Sequence, residues 1–281
     1  MPQNRKKIVV LYHNNCPDGF GAAWSAWKKF GNKATYIGVQ HNEPPPAGLS
    51  GRQLYFLDFA YPLAMMKHIK KIAHSLVVID HHKMMMSSAK IADEYVFNIH
   101  HSGSVLAWRY FHQNKKIPLR LLYIEDLDLW KRRLRYTDAA RATLMAFPYD
   151  FLVWDRAIAN FENAKMRRSI LEKGKAIVAF QERIIRHIVK NAELVRFCGL
   201  RTYAANTPDF ADEVGDALHR RLPPIGIIWA HRAGKLVVSL RSSGKVNVAR
   251  LAERFGGGGH RRSAAFVLRA YSSFPWKLIK K

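Results

Sequence analysis

"SLVVIDHHKM", residues 75–84, sets four apolar residues, Leu76 to Ile79, directly against Asp80, His81 and His82. A short apolar run rich in β-branched residues and closed by polar ones reads as a strand buried on both faces. A carboxylate and two imidazoles are costly to bury without partners. The strand therefore delivers them to a place where polar chemistry is done. Two more runs end the same way: "KIVVLYH" (7–13) in His13 and "RQLYFLD" (52–58) in Asp58. "ATYIGVQ" (34–40) supplies a fourth strand. The helical stretches "FGAAWSAWKKFG" (20–31) and "PLAMMKHIKKIAH" (62–74) alternate with them. This alternation predicts an α/β fold, with an N-terminal domain on a parallel sheet. Ligands of such sheets gather at the carboxyl ends of the strands. There the sequence places His13, Asp58, Asp80, His81 and His82, with Asp18 in the loop after the first strand.

Beyond this core, "NEPPPAGLSGRQ" (42–53) reads as a loop, and "NIHHSGSVLAWRYFHQN" (98–114) as a strand end, a serine cap and a helix. "PLRLLYIEDLDLWKRRL" (118–134) is expected to be helical throughout and carries Asp126 and Asp128. A charged, proline-free region over 156–193 is expected to be a long helical region serving as a connector. The β-like runs "ELVRFCGLRTYAA" and "IGIIWAHRAGKLVVSLRSS" follow, then helical "NVARLAERF", four glycines and "SAAFVLRA". They predict a smaller C-terminal α/β domain. The expected division is 1–155, 156–193 and 194–281, with a cleft between the two domains.

The chain has 46 Lys and Arg against 21 Asp and Glu, a net charge of +25. Basic clusters stand at "KRRLR" (131–135), "MRR" (166–168), "HRR" (219–221) and "HRR" (260–262). A field of this sign concentrates polyanions, so nucleic acid or another polyphosphate is the expected partner, a merely solvated basic surface being the plainer alternative. Only two cysteines, Cys16 and Cys198, are present. They argue against a disulfide framework and for a reducing, cytoplasmic setting. No apolar run reaches the roughly 18 residues needed to span a bilayer. The opening "MPQNRKKIVVLYH" has too short an apolar run for a signal peptide and reads as a first strand.

Carboxylates and imidazoles converging on strand ends suit a divalent cation, with Mn²⁺, Mg²⁺ and Zn²⁺ all compatible. Two such ions held about 4 Å apart can grip a phosphoester, and they need a shared carboxylate, a role open to Asp58. A lone Asp-His-His is more often a surface loop than a metal site; three converging strand ends shift that balance. The glycine run "FGGGGHRR" (255–262) is weak alone but would let backbone amides approach a phosphate.

Taken together, "YHNNCPDGFGAAW" (12–24), "LDFA" (57–60), "VIDHH" (78–82), "IEDLDLW" (124–130) and "SLRSSGKVNVARLAERFGGGGHRRSAA" (239–265) resemble the DHH phosphoesterases with a C-terminal DHH-associated domain. That group includes nano-RNases and single-strand exonucleases. The resemblance implies a hydrolase with a two-metal centre, Mn²⁺ foremost, and a phosphodiesterase activity releasing nucleoside monophosphates from short or single-stranded nucleic acid. It implies metal ligation by His13, Asp18, Asp58, His81 and Asp126, with Asp128 as the lesser candidate for the last position. It implies a phosphate contact by His82. Arg241, Ser242 and His260 would hold substrate, with Gly257, Gly258 and Gly259 giving close backbone access. Where family members often carry a further Asp, this chain has Cys16, either a thiolate ligand favouring a softer ion or a small buried residue.

Two other functions stay open at this point: a phosphoesterase acting on polyphosphate, a nucleoside bisphosphate or a cyclic dinucleotide, and a nucleic-acid-binding protein whose chemistry has lapsed. The sequence does not specify an oligomeric state, a dimer being one option. Trp24, Trp27 and Phe30, at helical spacing, are expected in the core, while Trp130, Tyr203 and Trp229 could pack or stack on bases. His100 and His101 read as supporting residues rather than ligands.

Overall fold

The computed structural model describes residues 6–40, 43–269 and 273–279, so residues 1–5, Asn42 and Ala270, at the ends of three quoted stretches, lie outside the described residues. The chain divides into two compact units, 1–178 and 179–281.

In the first unit the alternation of strands and helices is observed. The elements are β1 (Ile8–His13), α1 (Pro17–Phe30), β2 (Ala34–Val39), β3 (Gln53–Leu57), α2 (Leu63–Ile72), β4 (Ser75–Asp80), α3 (Met86–Ala89) and β5 (Glu94–Phe97). Five helices follow: α4 (Gly103–Phe111), α5 (Leu119–Asp128), α6 (Thr137–Met145), α7 (Phe151–Glu162) and α8 (Ala164–Lys190), the last of which runs on into the second unit from residue 179. The strands pair in parallel in the order β2-β1-β3-β4-β5.

Side chains leave each strand alternately to the two faces. Leu11, Phe56 and Val78 meet Met66 and Ile69 of α2. Val10, Leu57 and Ile79 meet Ala22 and Ala26 of α1 and Leu106 of α4. Both faces are thus covered, as a parallel sheet requires. The chain leaves β1 for β2 on one side, while β3 lies on the other, so the order reverses at β1. Tyr12 pairs with Leu57, and Leu57 with Ile79. The next residue on each strand is His13, Asp58 or Asp80. Register alone brings the three polar ends abreast at the carboxyl edge.

Trp24, Trp27 and Phe30 all pack inward, Trp24 stacking on Trp108 with ring centroids 5.3 Å apart. One helical expectation is corrected: the helix expected over 118–134 ends at Asp128. The long helical region expected over 156–193 consists of two helices, the break falling at Asn163, whose side chain accepts the Met166 N–H and starts α8 afresh.

The second unit holds β6 (Glu193–Phe197), β7 (Leu200–Asn206), α9 (Ala211–Arg221), β8 (Ile225–Arg232), β9 (Lys235–Ser242), α10 (Val248–Glu253), β10 (Gly258–Gly259), β11 (Ser263–Arg269) and β12 (Lys277–Leu278). They form one mixed sheet in the order β10-β11-β9-β8-β7-β6-β12, in which β7 and β8 run parallel. Its core gathers Phe197, Ile227, Val238, Leu240 and Phe266 under Leu251 and Ala252 of α10. Among the described residues no helix is long and apolar enough to cross a membrane.

Candidate metal centre

Three strand ends and two helix starts build the first unit's polar cluster. Asp58 follows β3 directly, is 1% exposed, and has φ +62°, the left-handed region that non-glycine residues rarely adopt. Its N–H donates to Ile79 O at 2.9 Å, tying it to β4. One carboxylate oxygen lies 3.4 Å from His13 Nδ1 and the other 3.2 Å from His81 Nε2. Asp18, in the first turn of α1, accepts the Gly103 and Ser104 N–H groups at 2.6 and 2.9 Å. The start of α4 therefore spends its orphan donors on a carboxylate, which suits the positive end of a helix. His81 Nε2 also lies 3.7 Å from Asp18 and 3.6 Å from Asp128.

Among the described residues these side chains converge as three overlapping ligand groups: His13, Cys16 and Asp58; Asp18, His81 and Asp128; and Asp58, Asp80, His81 and His82, the ligand atoms of each group lying within 4.8 Å of one another. Asp58 belongs to two of these groups and lies beside His81 of the remaining one. Asp58 Oδ1 and His81 Nε2 are buried and make no hydrogen bond among the described residues. Burial and the neighbouring Asp18 hold the Asp58 carboxyl well above the usual carboxylate range. The same two causes push Asp128 up to about 7. Burial, then Asp58 and Asp18, push the Cys16 thiol well up. Crowded, dry and negative, the cluster fits a bound cation, which would reverse each of these shifts.

Asp80 works from behind. Its carboxylate accepts the backbone N–H groups of His81 and His82 at 2.7 and 3.1 Å and holds His82 Nδ1 at 2.8 Å. Burial opposes charge on His82, but the Asp80 hydrogen bond and the Asp58 charge outweigh it and raise its pKa. Glu125 plays a similar part, accepting the Ser102 N–H and lying 3.0 Å from His101 Nδ1 and from Lys131 Nζ. His101 is thus placed against Glu125 and is in none of the ligand groups among the described residues.

Asp126 does not face this cluster. Its carboxylate accepts Arg133 N–H at 2.8 Å, Leu134 N–H at 3.1 Å and the Thr137 hydroxyl at 2.5 Å. Burial alone would raise its pKa; these bonds overcome it and hold the carboxyl low. Asp126 folds "KRRLR" back as a loop, and Asp128 takes the place beside His81. The geometry thus exchanges the two carboxylates relative to expectation.

In the second unit, the turn after β9 and the hairpin between β10 and β11 lie side by side, since Ser242 N–H donates to Arg262 O and Val248 N–H to Arg261 O. This gathers Arg241, Lys245, His260, Arg261 and Arg262 at one edge. Arg241 is paired with Asp212, its Nε and Nη2 at 2.8 and 2.7 Å from one carboxylate oxygen. The Ser242 hydroxyl is taken up by its own turn, donating to Val246 O and accepting from Gly244 N–H, so it is not presented to a ligand as expected. His260 is exposed and closes the hairpin through its backbone. A Cβ on Gly257 would meet Ala265 O at 2.2 Å, and one on Gly259 would meet Ala264 Cα at 2.6 Å. Those two glycines serve packing against β11; a Cβ on Gly258 meets open space. Of the aromatics left open, Trp229 packs against Phe274 and Trp276, Tyr203 against Arg221, and Trp130 is 59% exposed under the Arg132 guanidinium.

Residues 196–275 match the DHHA1 domain family. The uncharacterized protein R106 of Acanthamoeba polyphaga mimivirus is 28% identical over 290 residues, covering 92% of this chain and 67% of that one. Three solved structures share the fold. The DHH domain of a protein from a ribosomal-protein family is 14% identical, with a TM-score of 0.59 over 94% of this chain and 83% of that one. A pGpG-specific phosphodiesterase, PggH of Vibrio cholerae, is 13% identical, with a TM-score of 0.52 over 94% of both chains. RecJ of Thermus thermophilus in complex with Mn²⁺ is 13% identical, with a TM-score of 0.51 over 94% of this chain and 50% of that one.

Residues 196–275 thus match the DHHA1 domain, and the chain shares the fold of DHH-domain structures.

One member of this site carries no chemical signal in the sequence. Gly103 opens α4 where a Cβ would lie 2.6 Å from Asp58 Oδ1. A glycine between two serines reads as ordinary helix-start composition, and its need appears only when α4 is packed onto β3.

Asp58 and Asp128 keep their protons in the folded, metal-free chain at pH values where an unfolded aspartate, with a pKa near 4, has lost its own. The folded state then binds more protons, and stability falls as pH rises from about 4 to about 7. In chelator, the melting temperature should drop over this window, and Asp128→Asn should flatten the drop by about 2–4 °C per kcal/mol of repulsion relieved. Parallel curves for the two proteins, measured by calorimetry, would count against a shared carboxylate cluster.

Proposed function

We propose that the chain is a metal-dependent phosphodiesterase acting on short or single-stranded nucleic acid and releasing nucleoside monophosphates. The observation that carries this reading is Asp58, one buried carboxylate shared between overlapping ligand groups. In this reading His13, Cys16 and Asp58 would hold one divalent ion, and Asp18, Asp58, His81 and Asp128 the other, Mn²⁺ being the expected metal. Bound there, such ions supply a nucleophile at neutral pH and neutralise phosphoryl oxygens.

The protein's own part is placement. Asp18 is fixed by the two N–H groups of α4, and Asp58 by its bond to β4. Asp80 sets the orientation of the His82 imidazole, which would contact the phosphate. The basic edge of the second unit is offered as the face that receives substrate phosphates, with His260 and open Gly258 as its accessible members. Arg241 would have to trade its Asp212 partner for a phosphate. Trp130, exposed two residues beyond Asp128, favours a substrate bearing nucleobases over inorganic polyphosphate, since an aromatic face stacks on any base.

Incubation with Mn²⁺ and labelled oligonucleotides of two lengths, beside polyphosphate and a cyclic dinucleotide, separates the substrate classes. Mononucleotide release that ceases in chelator is expected. Asp128→Asn should lower kcat by about a hundredfold or more, the scale of losing one group that acts on the transition state. Asp126→Asn should instead lower stability by about 1–3 kcal/mol, from lost hydrogen bonds to a buried acceptor, and spare most of kcat. The reverse pattern would return the ligand role to Asp126.

Cys16 gives a second test, because a thiolate leaves an optical mark. In a Cys198→Ser background, Co²⁺ should give sulfur-to-metal charge-transfer absorption that Cys16→Ser abolishes, and Cys16→Asp should shift preference from Zn²⁺ towards Mn²⁺. Co²⁺ binding with no such band would make Cys16 a bystander in a site whose other ligands stand.

A further inference from the structure

The loop that leaves α5, residues 129–136, carries the chain's one exposed tryptophan. Of seven tryptophans the other six are buried or half-buried, whereas Trp130 is 59% exposed. A single exposed aromatic is ordinary on a protein surface. What sets this one apart is how firmly its backbone is held. Trp130 N–H donates to Leu127 O at 2.9 Å, and the Asp126 carbonyl accepts the Lys131 and Arg132 N–H groups at 2.9 and 3.1 Å. The Asp126 carboxylate takes the next two, from Arg133 and Leu134. Every amide from 130 to 134 is thus spent on the end of α5. Further along, Lys131 Nζ donates to His100 O and the Tyr123 hydroxyl to Arg135 O, both at 2.9 Å. Trp130 and Arg132 lie in the left-handed region, at φ +52° and +46°. A residue with a Cβ keeps that conformation only where its surroundings fix it.

Such a loop holds its side chains in place without burying them. The Arg132 guanidinium lies over the Trp130 ring, 5.2 Å from its centroid. Asp138 is 3.2 Å from Arg132, an exposed pair and therefore a weak restraint. Arg133 is exposed beside them. Tyr136, in the same loop, makes the contrast. It is half-buried, with Arg135 and Lys175 at 4.6 and 4.3 Å from its ring, so its faces are taken by its own chain. Trp130 keeps most of its ring surface accessible. An accessible indole among guanidinium groups is complementary to a single nucleic-acid strand: a base of any identity stacks on the ring, and the phosphates on either side meet cations. Inorganic polyphosphate would use the charge and leave the ring idle; an apolar protein surface would use the ring and leave the charge unanswered. Trp130 also follows Asp128 by two residues, so their Cα atoms are at most about 8 Å apart. The base it holds belongs to a nucleotide beside the candidate metal centre, not to a remote stretch of strand.

We propose that the 129–136 loop is the substrate-selecting element of the site: a nucleobase stacks on Trp130, and Arg132 and Arg133 take the phosphates that flank it. The proposal rests on the nucleic-acid reading of the site, and its test runs in chelator, where no hydrolysis is needed. A single-stranded oligothymidylate and an abasic strand of the same length and charge are titrated into the full chain at one low ionic strength, with affinity read by anisotropy of an end label. The oligothymidylate should bind about tenfold tighter or more, the scale of one stacked base, and, unlabelled, should quench tryptophan fluorescence. Trp130→Ala should bring the two strands to equal affinity. Trp130→Phe should keep most of the difference and lose the quenching, which assigns the signal to this ring among seven. Arg132→Gln should weaken both strands alike. Equal affinity of the parent chain for the two strands, or a difference that survives Trp130→Ala, would overturn the proposal and leave a protein partner as the occupant of the patch. A base-dependent difference that stands while Mn²⁺ supports no hydrolysis would instead remove the phosphodiesterase reading and keep the platform.

Discussion

Asp58 is held in a left-handed backbone conformation, at φ +62° and 1% exposure, and the candidate site depends on it. For a residue with a Cβ such a conformation costs about 1–3 kcal/mol and persists only where the surroundings over-determine it. Here they do. The Asp58 N–H is bonded to Ile79 O, the register of β1, β3 and β4 fixes its height at the sheet edge, and α4 packs so close that only glycine fits at 103. The turn aims one carboxylate into the space where two ligand groups meet. A relaxed extended residue would carry the side chain onward along β3.

Around that point the chain concentrates negative charge in a dry place and stabilises it only in part. Two helix N–H groups support Asp18, and two backbone N–H groups support Asp80. Asp58 and Asp128 receive less and hold their protons instead. A divalent cation settles that imbalance, and so the same feature that destabilises the metal-free chain makes it a good metal receiver.

Much of this was legible in sequence. Apolar runs ending in His13, Asp58 and Asp80-His81-His82 announced both the parallel sheet and its functional edge, because a two-residue period and a polar stop are local properties. What was hidden depends on tertiary contact. Asp126 and Asp128 are the same residue type two positions apart, on different faces of one helix; which of them meets His81 is settled by a loop whose N–H groups Asp126 captures. That capture also explains why "KRRLR" leaves the helix despite good helical composition. Ser242 and the glycine run misled in the same way. Their composition suits phosphate binding, yet the hydroxyl closes a turn and Gly257 and Gly259 make room for β11. Arg120 gave no signal at all, since an arginine early in a helix is ordinary until its burial against Phe161 is seen.

Metal stoichiometry tests the central claim most directly. Equilibrium dialysis of Mn²⁺ against the wild-type chain and Asp58→Asn, with folding checked by circular dichroism, reads whether one carboxylate serves both ligand groups. About two ions per chain are expected for the wild type, with both affinities weakened at least tenfold in the folded variant, as loss of a shared ligand requires. A folded Asp58→Asn protein that still binds two ions at wild-type affinity would contradict the account.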